Sequence, residues 1–219
     1  MQHIRFSDPE AILSDLIRRY PVLADQRDAI EQAYTILRDS FAAGGKLLLC
    51  GNGGSAADAL HIAGELMKSF ILPRRPDEAF ATAVRERFPA DAPFLLDKLE
   101  RALPAIPLVE SAAVSTAIQN DTESALVFAQ QVYGLGEMND VLLGISTSGN
   151  SGNIVYAAET AQALGMHVIT LTGQGPNRLT ALSDCQIAVD DSETFRVQEL
   201  HLPVYHALCL MLEQTFFAG

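Results

Sequence analysis

The strongest constraint on this chain is a three-part unit that recurs along it: a short apolar run, an abrupt polar loop, then a stretch with helical periodicity. Lys46-Leu47-Leu48-Leu49-Cys50 stops at Gly51-Asn52-Gly53-Gly54 and gives way to a helical stretch from Ser55 to Phe70. Val141-Leu142-Leu143-Gly144-Ile145 stops at Ser146-Thr147-Ser148-Gly149-Asn150-Ser151, with a helix predicted to about Leu164. His167 to Leu171 repeats the pattern, followed by a loop from Thr172 to Asn177 and a short helical segment. Strands that are apolar on both sides must be covered on both faces, and a loop leading straight into a helix rules out hairpin pairing. The pattern therefore predicts a doubly wound α/β fold, a parallel sheet flanked by helices, with ligands at the carboxyl ends of the strands.

The remaining segments complete this plan. Two helices precede the first strand within residues 1–43. In the first, Asp8 is placed to cap, Pro9 opens the first turn, and Ile12, Leu13, Leu16 and Ile17 form the apolar stripe. The second is predicted from Val22 to Ala43, with Ala29, Ala33, Ile36, Leu37 and Phe41 on one side and Gly44-Gly45 as its stop. Ile106 to Val109 and Gln186 to Val189 read as further strands, and Thr194 to Phe217 as a closing helix. Residues 71–103 break the rhythm: proline-punctuated and carrying Arg74, Arg75, Arg85, Arg87, Lys98 and Arg101, they read as an inserted helical excursion, a surface or subunit-contact element rather than a lid.

At 219 residues the chain suffices for one domain with appendages, and its net charge of −12 opposes both a phosphate-neutralising nucleic-acid surface and adsorption to an anionic membrane. No stretch reaches the roughly 18 to 20 apolar residues a membrane helix needs. Cys50, Cys185 and Cys209 are widely spaced with no C-x-x-C pair, and read as reduced thiols of a cytoplasmic protein.

Two polar loops at strand-to-helix junctions are the first candidates for chemistry, because backbone N–H groups at a helix N-terminus stabilise phosphate. Ser146, Thr147, Ser148 and Ser151 add hydroxyls, while no Lys or Arg occurs between Arg101 and Arg178, so an anion there is held by dipoles and not by a cation. Neither loop is a P-loop, and Gly51-Asn52-Gly53-Gly54-Ser55 lacks the G-x-G-x-x-G spacing. A second candidate is the i, i+4 pair His61 and Glu65, with Gln198 and His206 two turns apart on the last helix. One carboxylate, two imidazoles and an amide suit either proton transfer at carbon or a borderline divalent metal. Asn120-Asp121, placed in a loop after a helical Ser111 to Gln119 run, supply further polar groups for a hydroxylated ligand.

The run Gly51 to Leu66, the loop Ser146 to Ser151 and Val197-Gln198-Glu199-Leu200-His201, in that order, resemble the sugar isomerase (SIS) domain proteins of the phosphoheptose isomerase family. The resemblance covers nearly the whole chain outside 71–103. It implies a single SIS domain over 1–219, a flavodoxin-like three-layer sandwich, and isomerisation of sedoheptulose 7-phosphate to D-glycero-manno-heptose 7-phosphate in a homotetramer with shared sites. It places the phosphate on Ser146, Thr147, Ser148 and Ser151 and the sugar hydroxyls on Asn52, Gly53, Gly54, Ser55, Asn120, Asp121 and Gln198. It makes Glu65 the base and His206 the acid, and in zinc-containing relatives it makes His61, Glu65, Gln198 and His206 the metal ligands. Whether Glu65 acts as base or ligand stays open at this level. Alternatives are a non-catalytic scaffold of the replication-initiation-stimulating type, which lacks the acid and base, and an isomerase for another sugar phosphate. Two departures stand out: the insert, and Pro203 between Gln198 and His206, where a lost backbone hydrogen bond favours a kink.

Overall fold

The computed structural model describes residues 6–218; of the N-terminal segment 1–43, residues 1–5 lie outside the described residues, as does Gly219. Helix α1 (Pro9–Arg19) begins as its sequence dictates: the Asp8 carboxylate accepts the Ala11 N–H at 2.8 Å, Pro9 fills the first position, and Ile12, Leu13 and Leu16 are buried. The helix predicted from Val22 is corrected. Pro21–Gln26 forms a 3₁₀ turn, and the α-helix α2 runs only over Arg27–Ala42. Tyr20, preceding a proline, sits at φ −127° and ψ 74°, outside the helical region, so the chain re-enters a helix through a tighter turn that buries Leu23 and leaves Val22 exposed.

Strands β1 (Leu47–Gly51), β2 (Ala105–Pro107), β3 (Val141–Ile145), β4 (His167–Gly173) and β5 (Cys185–Val189) pair in parallel in the order β2-β1-β3-β4-β5. β1 and β3 pair in register from Leu47 with Val141 to Gly51 with Ile145, so their carboxyl ends finish side by side. This is the flavodoxin-like order, which reverses direction between β1 and β3. The pleat sends Leu47, Leu49, Val141, Leu143 and Ile145 to one face and Leu48, Cys50, Leu142 and Val168 to the other. The first face is covered by α1, α2, α3 (Gly54–Met67) and α9 (Thr194–Phe217). The second is covered by α7 (Val127–Leu135) and α8 (Gly152–Ala163). Three layers result, with one apolar core on each side of the sheet.

α9 runs unbroken from Thr194 to Phe217 with Pro203 buried inside it, so the proline does not end the helix. α3 stops at Met67, three residues short of the predicted Phe70, because Lys68 turns to an extended conformation. The released carbonyls of Glu65 and Leu66 are capped by the Arg74 guanidinium at 2.9 and 2.7 Å. The segment after α3 holds two helices, α4 (Glu78–Arg87) and α5 (Ala92–Lys98), which pack on each other and expose Phe80, Phe88 and Phe94. α6 (Ala112–Asp121) packs on α7 and on the turn Ser124–Leu126. All three cysteines are buried and unpaired, and burial pushes the Cys50 thiol up to about 12 and Cys185 to about 11. Among the described residues no helix is long and apolar enough to cross a membrane.

Candidate functional site

The parallel β1–β3 pair delivers two loops to one edge of the sheet. The first, Gly51 to Gly53, opens α3, with Gly53 as its N-cap. The second, Ser146 to Ser151, opens α8, with Ser151 as its N-cap. They are tied together by Asn52 and Asn153, whose amides exchange two hydrogen bonds of 2.9 Å. The second loop is braced from behind. Gly149 lies at φ +62° and has the Asn177 side chain 2.2 Å from where a Cβ would stand, while the Asn150 Oδ1 accepts the Arg178 N–H at 3.0 Å. Ser146 and Ser151 hydroxyls meet at 3.1 Å, Ser146 is buried, and Ser148 is exposed. The result is a hydroxyl-lined turn at a helix N-terminus with no acidic residue in the first turn, the electrostatic setting for an anion.

Close by in the fold, α9 crosses α3. Gln198 reaches the start of α3 so closely that a Cβ on Gly54 would stand 2.6 Å from its Nε2, and a side chain there would push the Gln198 amide aside. One to two turns further along α3, His61 Nε2 lies 3.3 Å from Glu65 Oε1 and 3.4 Å from His206 Nε2. A carboxylate from an early helix and an imidazole from the last helix therefore meet within one chain. The His206 ring stacks edge-on to His61 and Tyr205, at centroid distances of 4.9 and 5.0 Å, and tilts against Phe70 at 5.5 Å. Burial, and then the neighbouring His61, hold the His206 protonation below the ordinary imidazole range. Glu65 has only 15% of its side chain exposed; its Oε2 makes no hydrogen bond, although Lys68 Nζ stands 3.6 Å away, within ion-pair reach.

The structure places the residues singled out from the sequence in three groups: Asn52, Gly53, Gly54 and Ser55 at the start of α3, with Gln198 against Gly54; Ser146, Thr147, Ser148 and Ser151 in the second loop, joined to the first through Asn52 and Asn153; and His61, Glu65 and His206 in contact further along α3. Asn120 and Asp121 are corrected. They are the last two residues of α6 and not a following loop, because the helix closes only when the Thr122 N–H bonds Ile118 O. Both are exposed, and Asn120 donates to Asp121 at 2.7 Å. His201, close in sequence to Gln198, is a core residue: fully buried, it faces the Thr172 carbonyl at 3.2 Å and is pushed down to about 4 by desolvation.

The donors also bear on a metal. Around a tetrahedral ion with ligands about 2.0 to 2.2 Å out, adjacent donors stand about 3.4 Å apart, and both separations at His61 have that spacing. Imidazole and carboxylate are the right chemistry for a borderline cation. The set is not a closed cage as it stands: among the described residues no group of three or more His, Cys, Asp and Glu side chains is arranged to hold a metal ion.

Two residues at the site went unread in the sequence. Tyr205 Oη lies 3.0 Å from His61 Nδ1 and donates to Asp58 Oδ1 at 3.3 Å. The i, i+3 spacing of Asp58 and His61 on α3 was the available signal; nothing in the sequence connected Tyr205 to either.

A parallel sheet that reverses order between β1 and β3, with a hydroxyl-lined turn at the start of α8 and a carboxylate–imidazole cluster between α3 and α9, defines the class: a doubly wound α/β domain. Comparison with known proteins narrows this. The SIS domain profile matches residues 15–101 and 96–173. The phosphoheptose isomerase of Nitratiruptor sp. is 42% identical over 171 residues, 78% of either chain, and that of Akkermansia muciniphila 35% over 200 residues, 91% of this chain and 92% of that one. The solved phosphoheptose isomerase of Francisella tularensis superposes with a TM-score of 0.73 at 32% identity, covering 94% of this chain and 96% of that one. The chain belongs to the SIS-domain family, among the phosphoheptose isomerases.

Proposed function

We propose that this protein is an aldose–ketose isomerase that converts sedoheptulose 7-phosphate to D-glycero-manno-heptose 7-phosphate through an enediolate. The observation that carries the reading is the convergence of Glu65 and His206 on His61 Nε2, together with the alignment of phosphoheptose isomerases over most of the chain. Moving a carbonyl from C2 to C1 requires a base to take a proton from C1 and return it to C2, on one face of the substrate. Glu65 has the position for that base: it is mostly buried, and one carboxylate oxygen is without a hydrogen bond. His206, held neutral, carries both a donor and an acceptor, so it can pass a proton between O1 and O2.

The phosphate rests on the N–H groups that open α8 and on Ser146, Thr147, Ser148 and Ser151; neutral donors give an affinity suited to a turned-over metabolite. Asn52, Gly53, Gly54, Ser55 and Gln198 take the sugar hydroxyls. Asn120 and Asp121, exposed on α6, serve the site of a neighbouring subunit in a homotetramer with shared sites. His61, Glu65, Gln198 and His206 are the residues for a zinc ion, which when bound polarises the substrate oxygens as a Lewis acid. The acidic composition and the buried free thiols favour a cytoplasmic location.

The test is turnover of sedoheptulose 7-phosphate by the purified chain in deuterated water. Formation of the aldose with deuterium at C2 supports the reading. No exchange and no aldose would overturn it.

A further inference from the structure

Asp58, Tyr205 and His61 form a hydrogen-bonded chain in which the direction of the Tyr205–Asp58 link sets the direction of the next. An ionised carboxylate only accepts, so the single Tyr205 hydroxyl proton goes to Asp58 Oδ1 at 3.3 Å. The hydroxyl oxygen is then an acceptor toward His61 Nδ1 at 3.0 Å, and that nitrogen must carry the imidazole proton. Tyr205 is 1% exposed, so water does not compete for its hydroxyl. The two ends of the chain sit one turn apart on α3, a rigid element, while the link comes from α9. Phenylalanine or leucine would fill the same space; a buried tyrosine hydroxyl is kept where it has a partner to orient.

We propose that Tyr205, anchored by Asp58, is a positioning residue that holds His61 in the Nδ1–H tautomer and leaves its Nε2 lone pair bare toward Glu65 and His206. This rests on the proposed function of the same site and adds the device that prepares it. A bare Nε2 facing the Glu65 carboxylate at 3.3 Å presents two acceptors to one point. That arrangement calls for an electropositive partner, either a divalent cation or the N–H of His206 at 3.4 Å. In the opposite tautomer His61 would donate to Glu65 Oε1, and its Nε2 lone pair would no longer be open to a cation or to the N–H of His206.

The tautomer can be read without turnover. Long-range ¹⁵N–¹H spectra of the full chain, in buffer with EDTA so that no metal selects the tautomer, distinguish Nδ1–H from Nε2–H imidazoles, and the His61→Gln spectrum assigns the signal. The wild-type protein should show His61 protonated at Nδ1. Tyr205→Phe, which keeps the packing, should shift His61 toward Nε2–H. Asp58→Asn, which can donate to the tyrosine and reverse the chain, should do the same. In both variants kcat should fall about tenfold with KM nearly unchanged, and zinc affinity measured by chelator competition should fall about tenfold. An Nε2–H tautomer in the wild type, or an unmoved tautomer in both variants, would overturn the inference. A wild-type Nδ1–H tautomer in a protein inactive on every ketose phosphate would sink the function and leave the positioning role standing.

Discussion

Arg74 and Glu213 face each other at 2.8 Å with side chains that are 0% and 1% exposed. The Glu213 carboxylate also accepts the backbone N–H groups of Phe70, Ile71 and Leu72, at 2.7, 2.8 and 3.1 Å. Arg74 in turn caps the carbonyls of Glu65 and Leu66 and lies over the Phe217 ring at 4.6 Å. The pair therefore holds the end of α3 from which Glu65 projects. Glu213→Gln would leave a buried guanidinium without its counter-charge, and should cost about 3 to 5 kcal/mol in chemical denaturation. A loss below about 1 kcal/mol would mean that water reaches the pair.

Glu65→Gln keeps the size and the helical position of the side chain and removes the carboxylate proposed as the base. Turnover of sedoheptulose 7-phosphate should fall by about 10³-fold with the unfolding midpoint unchanged or raised. Appreciable residual rate in a folded variant would take Glu65 out of its role.

Replacing Ser148 and Ser151 together with alanine removes two hydroxyl donors from the α8 loop. Hydrogen bonds to a charged group contribute about 1.5 to 3 kcal/mol each, so KM for the phosphorylated ketose should rise at least about tenfold while kcat changes little. The comparison to make is with the unphosphorylated sugar, for which the two proteins should not differ.

His201 gives a stability signature of its own. Its imidazole is buried and neutral, with protonation pushed from 6.5 down to about 4, so the unfolded chain takes up a proton first as the pH falls. The contribution is complete above pH 6.5 and is lost on going down to about pH 4; at 1.36 kcal/mol per pKa unit it is about 3 kcal/mol. His201→Gln should flatten the denaturation free energy across that window. An unaltered slope would assign the acid sensitivity to other groups.

The α/β plan was legible because β3 and β4 are flanked by loops that no hairpin tolerates, and because Asp8-Pro9 and the Ser146 to Ser151 loop punctuate helices by local chemistry. The break at Tyr20–Pro21 was misread: the apolar stripe continues through it, and periodicity alone does not register a 3₁₀ turn. Glu65 and His206 were nameable from type and spacing, but their meeting depends on how α9 crosses α3, a tertiary fact. Tyr205 and Arg74 were invisible for the same reason. Each acts through partners far away in sequence, and each looks like an ordinary core or surface residue until the chain is folded.

The segment carrying α4 and α5 leaves and re-enters the domain at almost the same place, since the Leu103 N–H bonds Leu66 O at 3.0 Å and the Arg101 N–H bonds Arg74 O at 2.7 Å. A detour whose two ends are stitched together transmits little of its own length or content to the sheet. It is the natural point at which to excise, lengthen or replace sequence, for a reporter or an affinity tag, while the sheet and the α3–α9 crossing are left as they were.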